Sequence, residues 1–143
     1  MSEVFFMPYA LAAMAGLVDA GFELVITTNQ ARALSLGASA EELADVHRRG
    51  VKGWIAACGI PVAAHMIWYD GEGGILGAKP NLIGSVENRI GSIDRPRSWV
   101  VEPVRHSTFD PEGCRVLLVG DKCILQGLFQ AANYILDCED EAV

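Results

Sequence analysis

The chain has 143 residues, is 51% hydrophobic with mean hydropathy +0.27, and carries a formal net charge of −7. That length fits one domain, 1–143, and that hydrophobicity fits a buried core rather than disorder. Basic residues cluster only at His47-Arg48-Arg49 and Arg95/Arg97, so a basic nucleic-acid-binding face is not expected, whereas local donors could still hold a small anion.

Taken in chain order, the first feature is an apolar, uncharged stretch from Val4 to Val18. It is too short to span a bilayer, and Glu3 with no Lys or Arg before it departs from a secretion signal. Residues 8–20 are therefore expected to form a buried amphipathic helix, with Pro8 at the first turn and Gly21 as its stop. Phe22 to Thr28 follow as a strand, apolar on both faces apart from Glu23, as in a parallel sheet covered on both sides. This strand stops on the small polar run Thr28-Asn29-Gln30.

Ser39-Ala40-Glu41-Glu42 is a capping-box pattern that predicts a helix to about Cys58, with Leu43, Val46, Val51, Trp54 and Ile55 on its apolar face. Val62 to Tyr69 read as a second strand, Asp70 to Gly74 as loop, and Pro80 to Ile90 as a short helix. Ser98 to Val101 and Cys114 to Val119 are predicted strands, joined by a polar connection. Ile124 to Leu136 are predicted to be a closing helix, with Glu139 to Val143 a solvated acidic tail. His65, Trp54, Trp68 and Trp99 are expected in the core, with His65 hydrogen bonded. The cysteines, Cys58, Cys114, Cys123 and Cys138, form no CxxC and show no zinc spacing with histidine. Reduced thiols in a cytoplasmic protein are expected.

Strands that alternate with helices predict an α/β class: a doubly wound, mainly parallel Rossmann-like sheet with helices on both faces. Ligands of such sheets sit at the carboxyl ends of the strands. That directs attention to Thr28-Asn29-Gln30, the loop to Lys79, Glu102-Pro103 and Gly120-Asp121.

Several segments, in this order, resemble the haloacid-dehalogenase-like superfamily, and within it the small phosphatases of heptose bisphosphate and histidinol phosphate. They are AAMAGLVDAGFELVITTNQ (12–30), SAEELADVH (39–47), AKPN (78–81), RSWVV (97–101), GCRVLLV (113–119) and LFQAANYIL (128–136). The resemblance implies phosphomonoester hydrolysis through an aspartyl-phosphate, which divides one hard displacement into two easier ones. It implies that Thr28, Asn29 and Gln30 bind the substrate phosphate, that Lys79 neutralises developing charge as the catalytic cation, and that Mg²⁺ assists. Glu102 or Asp121 would be its ligand. RSWVV followed by Glu102 is one register for the metal motif, and LLVGD (117–121), ending on Asp121, is another.

Departures from the family bear on activity. No D-x-D lies before Thr28; the acids there are Glu3, Asp19 and Glu23. Pro103 stands where the family has a metal-binding Asp. The loop before Lys79, WYDGEGGILG (68–77), holds no Cys or His, so zinc is not expected. The family's central N-terminal strand is missing, which would leave two open edges. Glu3 to Met7, a partner's strand or a homo-oligomer could fill the gap. Impaired hydrolysis of a small phosphorylated molecule is therefore expected. The alternatives are a non-catalytic phosphate-binding or protein-interaction module, and a polynucleotide 3′-phosphatase-like domain, of which GIPVAA (59–64) is reminiscent. No membrane association is expected.

Overall fold

A computed structural model describes residues 9–68, 82–103, 112–119 and 127–141. The chain mixes helices with short parallel strands, and the alternation read from the sequence is present. Helix α1 (Ala10–Asp19) is rich in alanine and leucine, residues that lose little side-chain freedom in a helix. It ends in a tight reciprocal cap: Gly21 N–H donates to the Val18 carbonyl at 2.9 Å and Phe22 N–H to the Leu17 carbonyl at 3.0 Å. This geometry needs Gly21 at φ 98°, where a Cβ is strained. Gly21→Ala is expected to destabilise by about 1–2 kcal/mol, which a denaturant titration would read as a lower midpoint at unchanged slope.

Strand β1 (Val25–Asn29) leads at once into α2 (Ala31–Ser35), and the Gln30 carbonyl accepts from Leu34 N–H at 3.1 Å. Helix α3 (Ala40–Val46) starts as the capping box predicts, with Ser39 Oγ accepting from Glu42 N–H at 3.1 Å. The single helix expected to Cys58 is instead three segments in one run. A π-helical segment, His47–Lys52, separates α3 from α4 (Gly53–Ala57). The wider turn brings the helix's own backbone close at Gly53, where a Cβ would stand 3.3 Å from the Arg48 carbonyl oxygen. Leu43 and Ile55 are buried as expected, but Trp54 is 60% exposed and is not a core residue. The shift of register by the π turn turns it outward.

Strand β2 (Ala64–Trp68) pairs parallel with β1, Val25 opposite Ala64 through Asn29 opposite Trp68. Helix α5 (Leu82–Ile90) and a 3₁₀ turn (Arg95–Arg97) precede β3 (Trp99–Pro103), which pairs parallel with β4 (Arg115–Val119). Helix α6 (Leu128–Glu141) runs further than predicted. Glu139 and Asp140 are helical rather than tail, and Glu139 meets the Arg97 guanidinium at 3.2 Å.

Two apolar clusters hold these elements. Ala13 and Leu17 of α1 pack with Ala132 and Ile135 of α6, joined by Leu24, Trp99, Val101 and Leu117. Leu82, Ile83 and Val86 of α5 pack with Cys114, joined by Val25, Met66 and Val100. Alternate residues of β3, and of β1 with Leu24 just before it, therefore meet different helices, so both strands are covered on both faces. Among the described residues, β1–β2 and β3–β4 form two separate sheets. Cys58, Cys114 and Cys138 carry no disulfide. No described helix is long and apolar enough to cross a membrane.

Candidate functional site

Thr28, Asn29 and Gln30 occupy the carboxyl end of β1 and the turn into α2. β-Branched residues from Val25 to Thr28 favour the extended backbone, and Gln30 starts the helix that ends it. Glu102 and Pro103 close β3 in the same way, opposite Leu118 and Val119 of β4. Lys79 and Asp121 lie outside the described residues.

The structure joins Thr28 and Gln30 directly and adds partners that the sequence did not reveal. Gln30 Nε2 donates to Thr28 Oγ1 at 3.0 Å and lies 2.8 Å from His47 Nε2. A primary amide nitrogen has two hydrogens and no acceptor capacity. With both hydrogens used, His47 Nε2 is the acceptor, and its ring proton sits on Nδ1. Thr28 Oγ1 accepts from Gln30 and so keeps its own hydrogen as a donor, the group that a phosphoryl oxygen needs.

His47 stands at the start of the π segment, an insertion frequent at functional sites. Its ring meets that of His65 edge to face, with centroids 5.5 Å apart. Burial pushes the His47 imidazole below its ordinary value. Burial, then the neighbouring His47 and Lys52, does the same to His65. Both rings are therefore neutral near pH 7. His65, expected as a hydrogen-bonded core residue, is half-buried, and among the described residues its Nε2 has no hydrogen-bond partner. His47 Nδ1 is likewise buried and without one. The strand register supplies the reason. His65 is opposite Ile26, so its side chain leaves β2 on the face crossed by the π segment, where the nearest polar ring is His47. A histidine on the connection between two parallel strands, with another in the second strand, was the available sequence signal.

A second polar cluster lies apart from this one. Arg95 pairs with Glu87, lies 3.6 Å from Glu112 Oε2 and donates to the Glu112 carbonyl at 3.1 Å. The bond to Arg95 is the first cause holding the Glu87 carboxyl below its usual range. This ties α5 to the turn before β4. Among the described residues, no three His, Cys, Asp or Glu side chains converge as a metal site requires.

Comparison with family models, curated proteins and solved structures finds no match to this chain.

Proposed function

We propose that this chain is a HAD-like, doubly wound α/β domain of the phosphatase type. It binds a small sugar- or histidinol-phosphate in the cytoplasm and hydrolyses it slowly or not at all. The observation that carries the reading is the end of β1, where Thr28 keeps a hydroxyl hydrogen to donate while Gln30 and His47 hold its oxygen in place. A strand end in a parallel pair is where α/β sheets receive ligands. Asn29 and Gln30 complete the binding edge, and Lys79 supplies the positive charge that a phosphate dianion needs.

Impaired chemistry follows from residue type. Pro103 at the end of β3 has no side-chain donor for a metal. Mg²⁺, where bound, would shield phosphate charge, with Glu102 or Asp121 as its ligand.

Titration of the full chain with inorganic phosphate and with p-nitrophenyl phosphate, with and without Mg²⁺, tests the reading. Both should bind, and p-nitrophenol should not accumulate. Thr28→Val should weaken phosphate about 10-fold or more, the cost of one hydrogen bond to a charged group, and Lys79→Ala should do likewise. Absence of binding would overturn the site. Turnover that disappears in Lys79→Ala would overturn the impairment.

A further inference from the structure

Two imidazole nitrogens are left over by the hydrogen bonding around Thr28. His47 Nδ1 and His65 Nε2 are both buried, and neither has a hydrogen-bond partner among the described residues. A buried polar atom without a partner costs about 1–3 kcal/mol, so a neighbouring pair of them calls for a ligand. The two rings stand edge to face with centroids 5.5 Å apart. Two imidazoles that share one tetrahedral cation, with metal–nitrogen bonds of about 2.1 Å, hold their ring centres roughly 5 Å apart. Regular structure sets this spacing. His65 lies within β2, opposite Ile26 of β1, and His47 opens the π segment. A cation would therefore not have to gather its ligands from mobile loops.

We infer that His47 Nδ1 and His65 Nε2 bind a late first-row divalent cation, Zn²⁺ or a neighbour such as Ni²⁺ or Cu²⁺. Imidazole suits these ions, whereas Mg²⁺ prefers oxygen. Both rings are already neutral near pH 7 through burial, the state that a metal ligand needs. The net charge of −7 favours a cation. The charge of Lys52 opposes one at His65, but that side chain is exposed and screened by solvent. Two protein ligands leave further coordination positions to water. The crossover from β1 to β2 separates the two histidines in sequence, which is why they form no short-spaced zinc motif.

Protons balance through Gln30. Without the metal, the His47 proton sits on Nδ1, and Nε2 accepts from Gln30 Nε2 at 2.8 Å. On binding, Nδ1 loses its proton to the metal and Nε2 gains one, so the ring stays neutral and no net proton is released. Two N–H groups would then face each other, unless the Gln30 amide makes a half-turn that puts Oε1 where Nε2 stood. Oε1 accepts from His47 Nε2–H, the kind of partner that a metal-bound histidine usually has. It also accepts from Thr28 Oγ1–H across the contact that is now 3.0 Å. Gln30 is thus the positioning residue for the His47 ligand.

Titration of the full chain with Zn²⁺ in phosphate-free buffer, followed by proton–nitrogen correlation spectra of the imidazoles, tests the site independently of the phosphate reading. The protonated nitrogen of His47 should change from Nδ1 to Nε2, and the His65 Nε2 signal should shift in step with it. His65→Phe and His47→Gln should each weaken Zn²⁺ by about 100-fold or more, and Gln30→Leu by about 10–100-fold. Gln30→Glu should tighten it, because a carboxylate accepts more strongly from His47 Nε2–H, a gain that a merely structural residue would not give. Should a variant fail to fold, the spectra of the unaltered chain still decide. Imidazole signals that stay in place as Zn²⁺ is added overturn the site, whether the ion goes to cysteines or does not bind. Equal affinity in Gln30→Leu, Gln30→Glu and the parent overturns the role of Gln30.

Discussion

Ile135→Ala should destabilise the protein by about 2–5 kcal/mol, which for a chain of this size lowers Tm by on the order of 10 °C. Ile135 is 2% exposed and sits where α6 crosses α1, among Ala13, Leu17 and Ala132. Truncation removes the transfer free energy of three carbons and leaves a cavity. Two of the three buried neighbours at the seam, Ala13 and Ala132, have no longer side chain to swing into the space, and partial relaxation is what makes such cavities costly. Trp99, Val101 and Leu117 would lose packing at the same time, so the sheet also feels the change. Ile135→Val, which deletes one methyl group, should cost only about 0.5–1.5 kcal/mol. Thermal unfolding followed by circular dichroism orders the series. An Ile135→Ala protein within about 0.5 kcal/mol of the parent, the range of a surface substitution, would show that the α1–α6 seam is not the core.

Acid should weaken the fold in a window set by two histidines. Both His47 and His65 lie below the ordinary value of 6.5 in the folded chain. Between that value and the lowered folded one, the unfolded chain binds more protons than the folded chain, so stability rises with pH there. Stability is complete above about pH 6.5 and is lost as pH falls through the folded values. The hydrogen-bond network supplies a second reason. Protonation of His47 would place an N–H at Nε2, facing the Gln30 amide N–H at 2.8 Å, and two donors repel. Urea midpoints measured from pH 8 down to pH 5 should be flat and then decline. His47→Gln with His65→Phe should remove most of the decline, because neither replacement titrates there. A slope unchanged in the double variant would assign the acid sensitivity to carboxylates instead. Phosphate affinity should fall over the same window if Thr28 is held through Gln30 and His47.

Local signals were the legible ones. Ser39 announced its helix, Gly21 its stop, and the β-branched run before Asn29 its strand, because each depends on neighbours within one turn of chain. The order of strands and helices followed from the same signals. The π segment was not legible: His47 to Lys52 have nothing in their composition that separates a five-residue from a four-residue hydrogen-bond step, and the position of Trp54 depends on that step. The helical state of Glu139 and Asp140 was equally hidden, since charge density suggests solvent while Arg97, far away in sequence, supplies the partner. At the candidate site, Thr28 and Gln30 could be read from the strand end. His47 could not, because its approach to Gln30 is set by how the crossover folds back over β1. The pairing of His47 with His65 is a matter of strand register, which sequence alone leaves open.

Parallel pairing also orders the events by which the chain comes together. Trp99 meets Arg115 after a short excursion, whereas Val25 must wait for Ala64, beyond four helical segments. Each doubling of a closed loop adds about 0.6 kcal/mol of entropic cost, and non-local contacts slow folding. The β3–β4 half is therefore expected to form the earlier nucleus, with the half that bears Thr28 and Gln30 docking later.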